Sequence, residues 1–140
     1  MPNKDINHDM VVRALIKAGW KILDEQHYLS IGTSALDRRR LFIDIKAQHQ
    51  TRQIVVLVEV KNMLNSMVHE LMEMIGQYVV YRAALDYLDD KTPLYIAMPE
   101  HAYKEIILHP LGQQSVEATQ IQIMVYNHQK EEIIGWIPPL

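Results

Sequence analysis

The chain is 140 residues long, with 14 Lys and Arg against 17 Asp and Glu and a formal net charge of −3. That length suits one domain, residues 1–140, with a sizeable core. The acidic balance excludes a general basic field, so any contact with nucleic acid must rest on a local concentration of Lys and Arg. Cysteine is absent, which removes disulfides, thiol catalysis and cysteine-ligated metal sites. The first residues lack a secretory apolar segment, and no apolar run reaches the roughly 18 residues of a membrane span. A cytoplasmic protein without membrane contact is the expectation.

Residues 8–19 predict a helix, with Asp5 or Asn7 as its cap, an apolar stripe of Val12, Leu15 and Ile16, and Gly19 at its end. His8 and Asp9 are neighbours whose side chains diverge by about 100° on a helix, so they do not act as a pair. His8 reads as a capping or packing residue and Asp9 as a complement to the helix dipole. Trp20–Leu23 and Tyr28–Ile31 predict two short strands, followed by a turn at Gly32-Thr33-Ser34. The run Arg38-Arg39-Arg40 directly precedes the next strand.

That strand, Leu41 to Lys46, and the run Ile54 to Lys61 predict a hairpin joined by the polar segment Ala47 to Gln53. A strand alternates faces, so Glu59 and Lys61 point one way and Val58 and Val60 the other. Asp44, fifteen residues before Glu59, lies on the partner strand, near enough for the two carboxylates to converge. A carboxylate buried among valines is costly unless it is neutralised or finds a cation, and hard oxygen donors suit Mg²⁺ or Mn²⁺. The alternative is that Glu59 and Lys61 line the solvated face of a half-exposed strand.

Ser66 can cap a long helix that runs to about Leu88. Val68, Leu71, Met72, Ile75, Tyr78 and Val79 are assigned to its core face, with Glu70, Met74, Gln77 and Tyr81 nearly opposite. A helix apolar on both sides is packed on both sides, or presents one side to a site or partner. With Met63, Met67 and Met74 placed at its exposed edge, a two-fold homodimer is expected.

Asp89 to Pro93 is a turn into a central strand, Leu94 to Met98. Pro99 opens a helix running to about His109, where Pro110 stops it. Leu111 to Thr119 fits a helix or a loop. Ile121–Tyr126 and Glu131–Ile137 form a last strand pair joined by Asn127 to Lys130. The order predicts an α/β domain: a mixed sheet with helices on both faces.

The pattern Asp44…Glu59-Val60-Lys61 resembles the PD-(D/E)XK nuclease signature, and Gln77-Tyr78-Val79-Val80-Tyr81 resembles the Gln-X-X-X-Tyr motif of several of its branches. The whole chain is similar to the XisH family, the fdxN element excision controlling factors. The likeness is carried by Lys4-Asp5…His8, Ala14-Leu15…Gly19-Trp20, Val58 to Lys61, Gly76-Gln77-Tyr78…Tyr81-Arg82 and Pro110 to Gln113. It implies a restriction-endonuclease-like fold and a part in programmed DNA rearrangement, alongside a site-specific recombinase and an XisI-type partner protein. It also implies that Asp44, Glu59 and the Val60 carbonyl hold Mg²⁺ or Mn²⁺ for phosphodiester hydrolysis. Lys61 and Gln77 would then be catalytic and Tyr81 supporting, while Asp9 could add a carboxylate from the first helix. DNA would be held by Arg38, Arg39, Arg40 and Lys46. There are departures: Ile43 stands in place of the signature proline, and Asp44-Ile45-Lys46-Ala47-Gln48 where relatives often read Asp-Leu-Gly-Ala-Glu. The lost carboxylate favours a competing reading, a control factor that binds DNA, the recombinase or the partner without cutting.

Overall fold

The structure, a computed structural model, describes residues 6–140. Helix α1 (Ile6–Lys17) leads into strand β1 (Trp20–Ile31), β2 (Arg39–His49) and β3 (Val55–Val60), then the long α2 (Met67–Tyr87). Strand β4 (Leu94–Pro99) follows. The short α3 (Glu100–Ala102) passes into a π-helical turn (Tyr103–Ile107), and α4 (Pro110–Thr119), β5 (Ile123–Asn127) and β6 (Glu132–Ile137) complete the chain. The six strands form one sheet in chain order. β3, β4 and β5 are parallel and buried at its middle, while β1–β2, β2–β3 and β5–β6 are antiparallel. The expected mixed sheet with helices on both faces is present.

The local chemistry explains these elements. Gly19, at φ 91°, takes the left-handed conformation that ends α1. The turn between β2 and β3 is organised by His49, whose Nδ1 accepts the backbone N–H groups of Thr51 (3.3 Å) and Arg52 (3.2 Å). Every residue of β4, Leu-Tyr-Ile-Ala-Met-Pro, is buried, as a central strand covered on both faces requires. On one face Val11 and Leu15 of α1 pack with Ile45, Val58, Tyr95 and Tyr126. On the other, α2, the π turn and α4 cover Ile43, Leu57, Ile96 and Ile123. An Arg13–Glu131 ion pair and a Lys17 Nζ to Lys130 carbonyl bond (2.7 Å) tie α1 to the turn before β6.

Several expectations are corrected. Residues 20–31 are one strand rather than two short ones, because pairing with β2 is maintained along it despite a register shift between Ile22 and Asp24. Arg39 and Arg40 lie inside β2 rather than before it. Asn7 lies within α1, not at its cap, and Asp5, like Lys4, is outside the described residues. The helix after Pro99 is three residues and a π turn. Pro110 opens α4 instead of merely stopping a helix, with His109 Nδ1 accepting the Leu111 N–H. Most consequential is the rotation of α2. Val68, Met72 and Val79, assigned to the core, are exposed, whereas Glu70 and Met74 are buried; Met63, placed at the open edge, is buried too. Polar partners decide this, since Glu70 accepts the Asn65 N–H (3.1 Å) and Gln77 reaches into the sheet.

The rotation has a measurable consequence. Met74→Ala should cost about 2–4 kcal/mol in urea unfolding, as for a truncated core side chain. A loss within about 0.5 kcal/mol would return Met74 to the surface.

Candidate active site

The β2–β3 ladder stops at the Ile45–Val58 pair, one residue short of Asp44 and Glu59. There the two carboxylates take up the next backbone donors. The Asp44 N–H donates to Glu59 Oε1 (3.2 Å), and the Val60 N–H donates to Asp44 Oδ2 (2.8 Å). The main chain turns over at the same place. Ile43 and Ile45 are both fully buried, yet in the two cores on opposite faces of the sheet. Opposite, between the Glu25–Ile45 and His27–Ile43 pairs, Gln26 has a φ of 64°, a local twist that accommodates the switch. Asp44 therefore sits at a break in the sheet, with its side chain alongside the end of β3.

Glu59 points to the α2 face, as does Lys61. Gln77 joins the two: its Nε2 donates to Glu59 Oε2 (3.3 Å) and its Oε1 accepts from Lys61 Nζ (2.8 Å). Lys61 Nζ also donates to Glu73 Oε1 (3.0 Å). Tyr81, one turn beyond Gln77, hydrogen-bonds its amide and is pushed up to about 12 by burial and by the charges of Glu59 and Asp44, so its hydroxyl keeps its proton. Glu73 is lowered by its hydrogen bond to Lys61 and by that amine's charge, and stays ionised.

Glu59 carries the main electrostatic feature. It is 7 % exposed, and burial first, then the charge of Asp44, pushes its carboxyl from 4.5 to about 8. Lys61 opposes this without reversing it. Near neutral pH the pair therefore holds a proton between two hard oxygen donors. Such a donor set fits Mg²⁺ or Mn²⁺, which could take that proton's place. Asp44, Glu59 and the Val60 carbonyl are the groups available to hold it.

The remaining expected residues are dispersed. Asp9 is on α1, the layer packed against the opposite face, beside His8, which pairs with Glu25 (2.8 Å). His8 is thus a buried packing residue, as its sequence context suggested. Lys46 follows Asp44 by two residues, but its charge acts on Asp90, whose carboxyl is lowered first by Thr92 and also by Lys46 and His27. Arg38, Arg39 and Arg40 are exposed at the tip of the β1–β2 hairpin, with Arg39 3.5 Å from Asp37. At about 3.3 Å per residue, Arg40 stands about 13 Å along the strand from Asp44.

Glu73 is the site residue that sequence reasoning missed. Its signal was available, because Glu73 precedes Gln77 by one helical turn and both reach the same lysine. His69, Glu70 and Glu73 also bring ligand atoms within 4.8 Å of one another. Glu70 is engaged by Asn65 and the other two pair with each other at 3.1 Å, so the cluster is accounted for by local structure.

Fold and site together define a mixed α/β protein with a buried and a half-buried carboxylate side by side and a lysine near the end of the β2–β3 ladder. The family model described as XisH protein matches residues 1–134, and the chain belongs to the XisH family. It is similar to the crystal structure of an XisH family protein from Nostoc punctiforme PCC 73102, with 28 % identity, a TM-score of 0.82 and coverage of 94 % of this chain and 98 % of that one. It is also similar to an fdxN element excision controlling factor protein from Anabaena variabilis, with 30 % identity, a TM-score of 0.83 and coverage of 96 % and 99 %. None of the curated proteins matches. Among the described residues no helix is long and apolar enough to cross a membrane.

The raised Glu59 pKa fixes the sign of a pH effect. A carboxyl whose folded-state value exceeds its unfolded one contributes stability that is fully present below 4.5 and is lost as pH rises through about 8. Glu59→Gln, which cannot ionise, should melt close to the parent at pH 5 and at least about 3 °C above it at pH 8.5 in metal-free buffer. A gap that does not widen with pH would contradict the shared-proton description.

Proposed function

We propose that this XisH-family chain is a metal-dependent, restriction-endonuclease-like protein that acts on DNA during fdxN-type element excision. The observation that carries the reading is the Asp44–Glu59 pair, with Glu59 buried, Asp44 half-buried beside it, and Gln77 joining Glu59 to Lys61. In this reading Asp44…Glu59-Val60-Lys61 is a PD-(D/E)XK motif on a fold of that superfamily. Bound Mg²⁺ or Mn²⁺ would supply Lewis-acid polarisation of a phosphodiester and a water of lowered pKa. The chain's own residues supply the rest. Asp44 and Glu59 would hold the cation in place of the proton that the pair otherwise carries. Lys61 presents positive charge where negative charge develops on phosphate, and Gln77 fixes its amine. Tyr81, kept neutral, holds the Gln77 amide in its orientation.

The acidic chain must bind the DNA backbone locally, through Lys61 and the arginine tip, Arg38 to Arg40. Contacts to about four phosphates give log K against log salt a slope near −3.6 on duplex DNA. A site-specific recombinase and an XisI-type protein would be the partners of the excision step.

A second reading is favoured by one contact: Lys61 is already neutralised by Glu73 at 3.0 Å. With its cation so occupied, the chain would act as a control factor that binds DNA or the recombinase without cutting.

The two readings separate in one assay with duplex, branched and single-stranded DNA and Mn²⁺. The hydrolytic reading expects cleavage by the parent, loss of at least about 100-fold in Glu59→Ala and Asp44→Asn, and unchanged DNA binding by both variants in chelator. Arg39→Ala with Arg40→Ala should weaken binding to all sequences alike, since phosphate contacts carry no base information. A parent that cuts none of these substrates makes the control-factor reading the correct one.

A further inference from the structure

The rotation of α2 that delivers Gln77 to Glu59 turns an apolar stripe outward. Val68, Met72, Val79, Val80 and Tyr87 lie on it, with Met72 70 % and Tyr87 62 % exposed. At its centre is Gly76, exposed, in the middle of the 21-residue helix. A Cβ there would meet nothing within 4 Å. Glycine weakens a helix interior, and no neighbour within the chain needs its small size.

We infer that this face is a two-fold interface with a second copy of the chain, the two α2 helices crossing antiparallel at Gly76. An isologous contact presents one patch to itself, so its centre is the point of closest approach, where a residue without a side chain lets the backbones near each other. The ends of α2 complement each other in the same arrangement. About a two-fold axis at Gly76, Asp86 falls opposite Ser66 of the other helix. Ser66 is an N-cap whose side chain makes no cap hydrogen bond, and α2 has no basic residue in its last turn. Within one chain Asp86 opposes its own helix dipole, offset by Arg82 at 3.3 Å. In the pair it sits at the positive end of the other helix. A standard interface takes about 800 Å² from each partner. Five large side chains between 48 % and 70 % exposed, with the backbone between them, supply an area of that order. The interface leaves Glu59 and Asp44 on the inner side of α2 and does not depend on what that site does.

The chain has no cysteine, so a single one can be placed as a probe. Gly76→Cys should oxidise to a disulfide-linked dimer, because an axis at this position brings the two Cα atoms within the 4.4–6.8 Å a disulfide needs. Asp86→Cys, ten residues and about 15 Å along the helix from the axis, should not cross-link. Light scattering on the parent at 50 µM should give twice 16.3 kDa. Gly76→Phe, which meets only open space in one chain, should keep the fold by circular dichroism and give a single 16.3 kDa species. A parent that stays monomeric overturns the proposal. So does a Gly76→Phe variant that is still dimeric, or a Gly76→Cys variant that cross-links no better than Asp86→Cys.

Discussion

Two carboxylates brought together where the β2–β3 ladder ends, with one of them unable to ionise freely, constrain much of this molecule. Glu59 belongs to a strand buried on both faces, so its charge has no solvent to retreat to and burial raises its pKa. Asp44 adds the second charge because β2 twists there, sending Ile43 into one core and Ile45 into the other. The backbone donors of Asp44 and Val60, left by the end of the ladder, bind the carboxylates. Gln77 must then lie over Glu59, and its place in the helix sets the rotation of α2. That rotation buries Met74 and exposes Met72, two residues away.

The sequence revealed most of the architecture and the heart of the site, for identifiable reasons. β4 announced itself as an unbroken apolar run between a turn and a proline, and period-two alternation put Glu59 and Lys61 on one face. Neither signal depends on distant parts of the chain. The face of α2 was misread because nearly every side of that helix carries apolar residues, so periodicity has no single answer. What settles it is a tertiary polar contact, Gln77 to Glu59 and Lys61, which spans 18 and 16 residues. The twist at Asp44 was hidden for a similar reason: Ile43 and Ile45 look equivalent in a pattern, and only packing separates them. The arginine run is close to Asp44 in sequence, but an extended strand carries it to the hairpin tip.

Sequence and shape agree on kinship. The relatives from Nostoc and Anabaena match nearly their full length with TM-scores above 0.8, so the fold is shared with proteins only about 30 % identical. Inside that fold α2 serves two environments. Its inner row, Glu73, Gln77 and Tyr81, arranges charge around Lys61 and Glu59, while its outer row is apolar around Gly76. A helix so divided explains the failure of one-faced reasoning. It also makes Glu73 a residue of interest, since it and Gln77 together hold the Lys61 amine.

The central proposal is that the Asp44–Glu59 pair holds one proton that a divalent cation would replace. Calorimetric titration of the metal-free protein with Mn²⁺ at pH 7, repeated in two buffers of different ionisation enthalpy, counts that proton directly. The account predicts one Mn²⁺ bound per chain with release of close to one proton, and neither binding nor release in Glu59→Gln. Mn²⁺ binding with no proton released, or unaltered by Glu59→Gln, would contradict it.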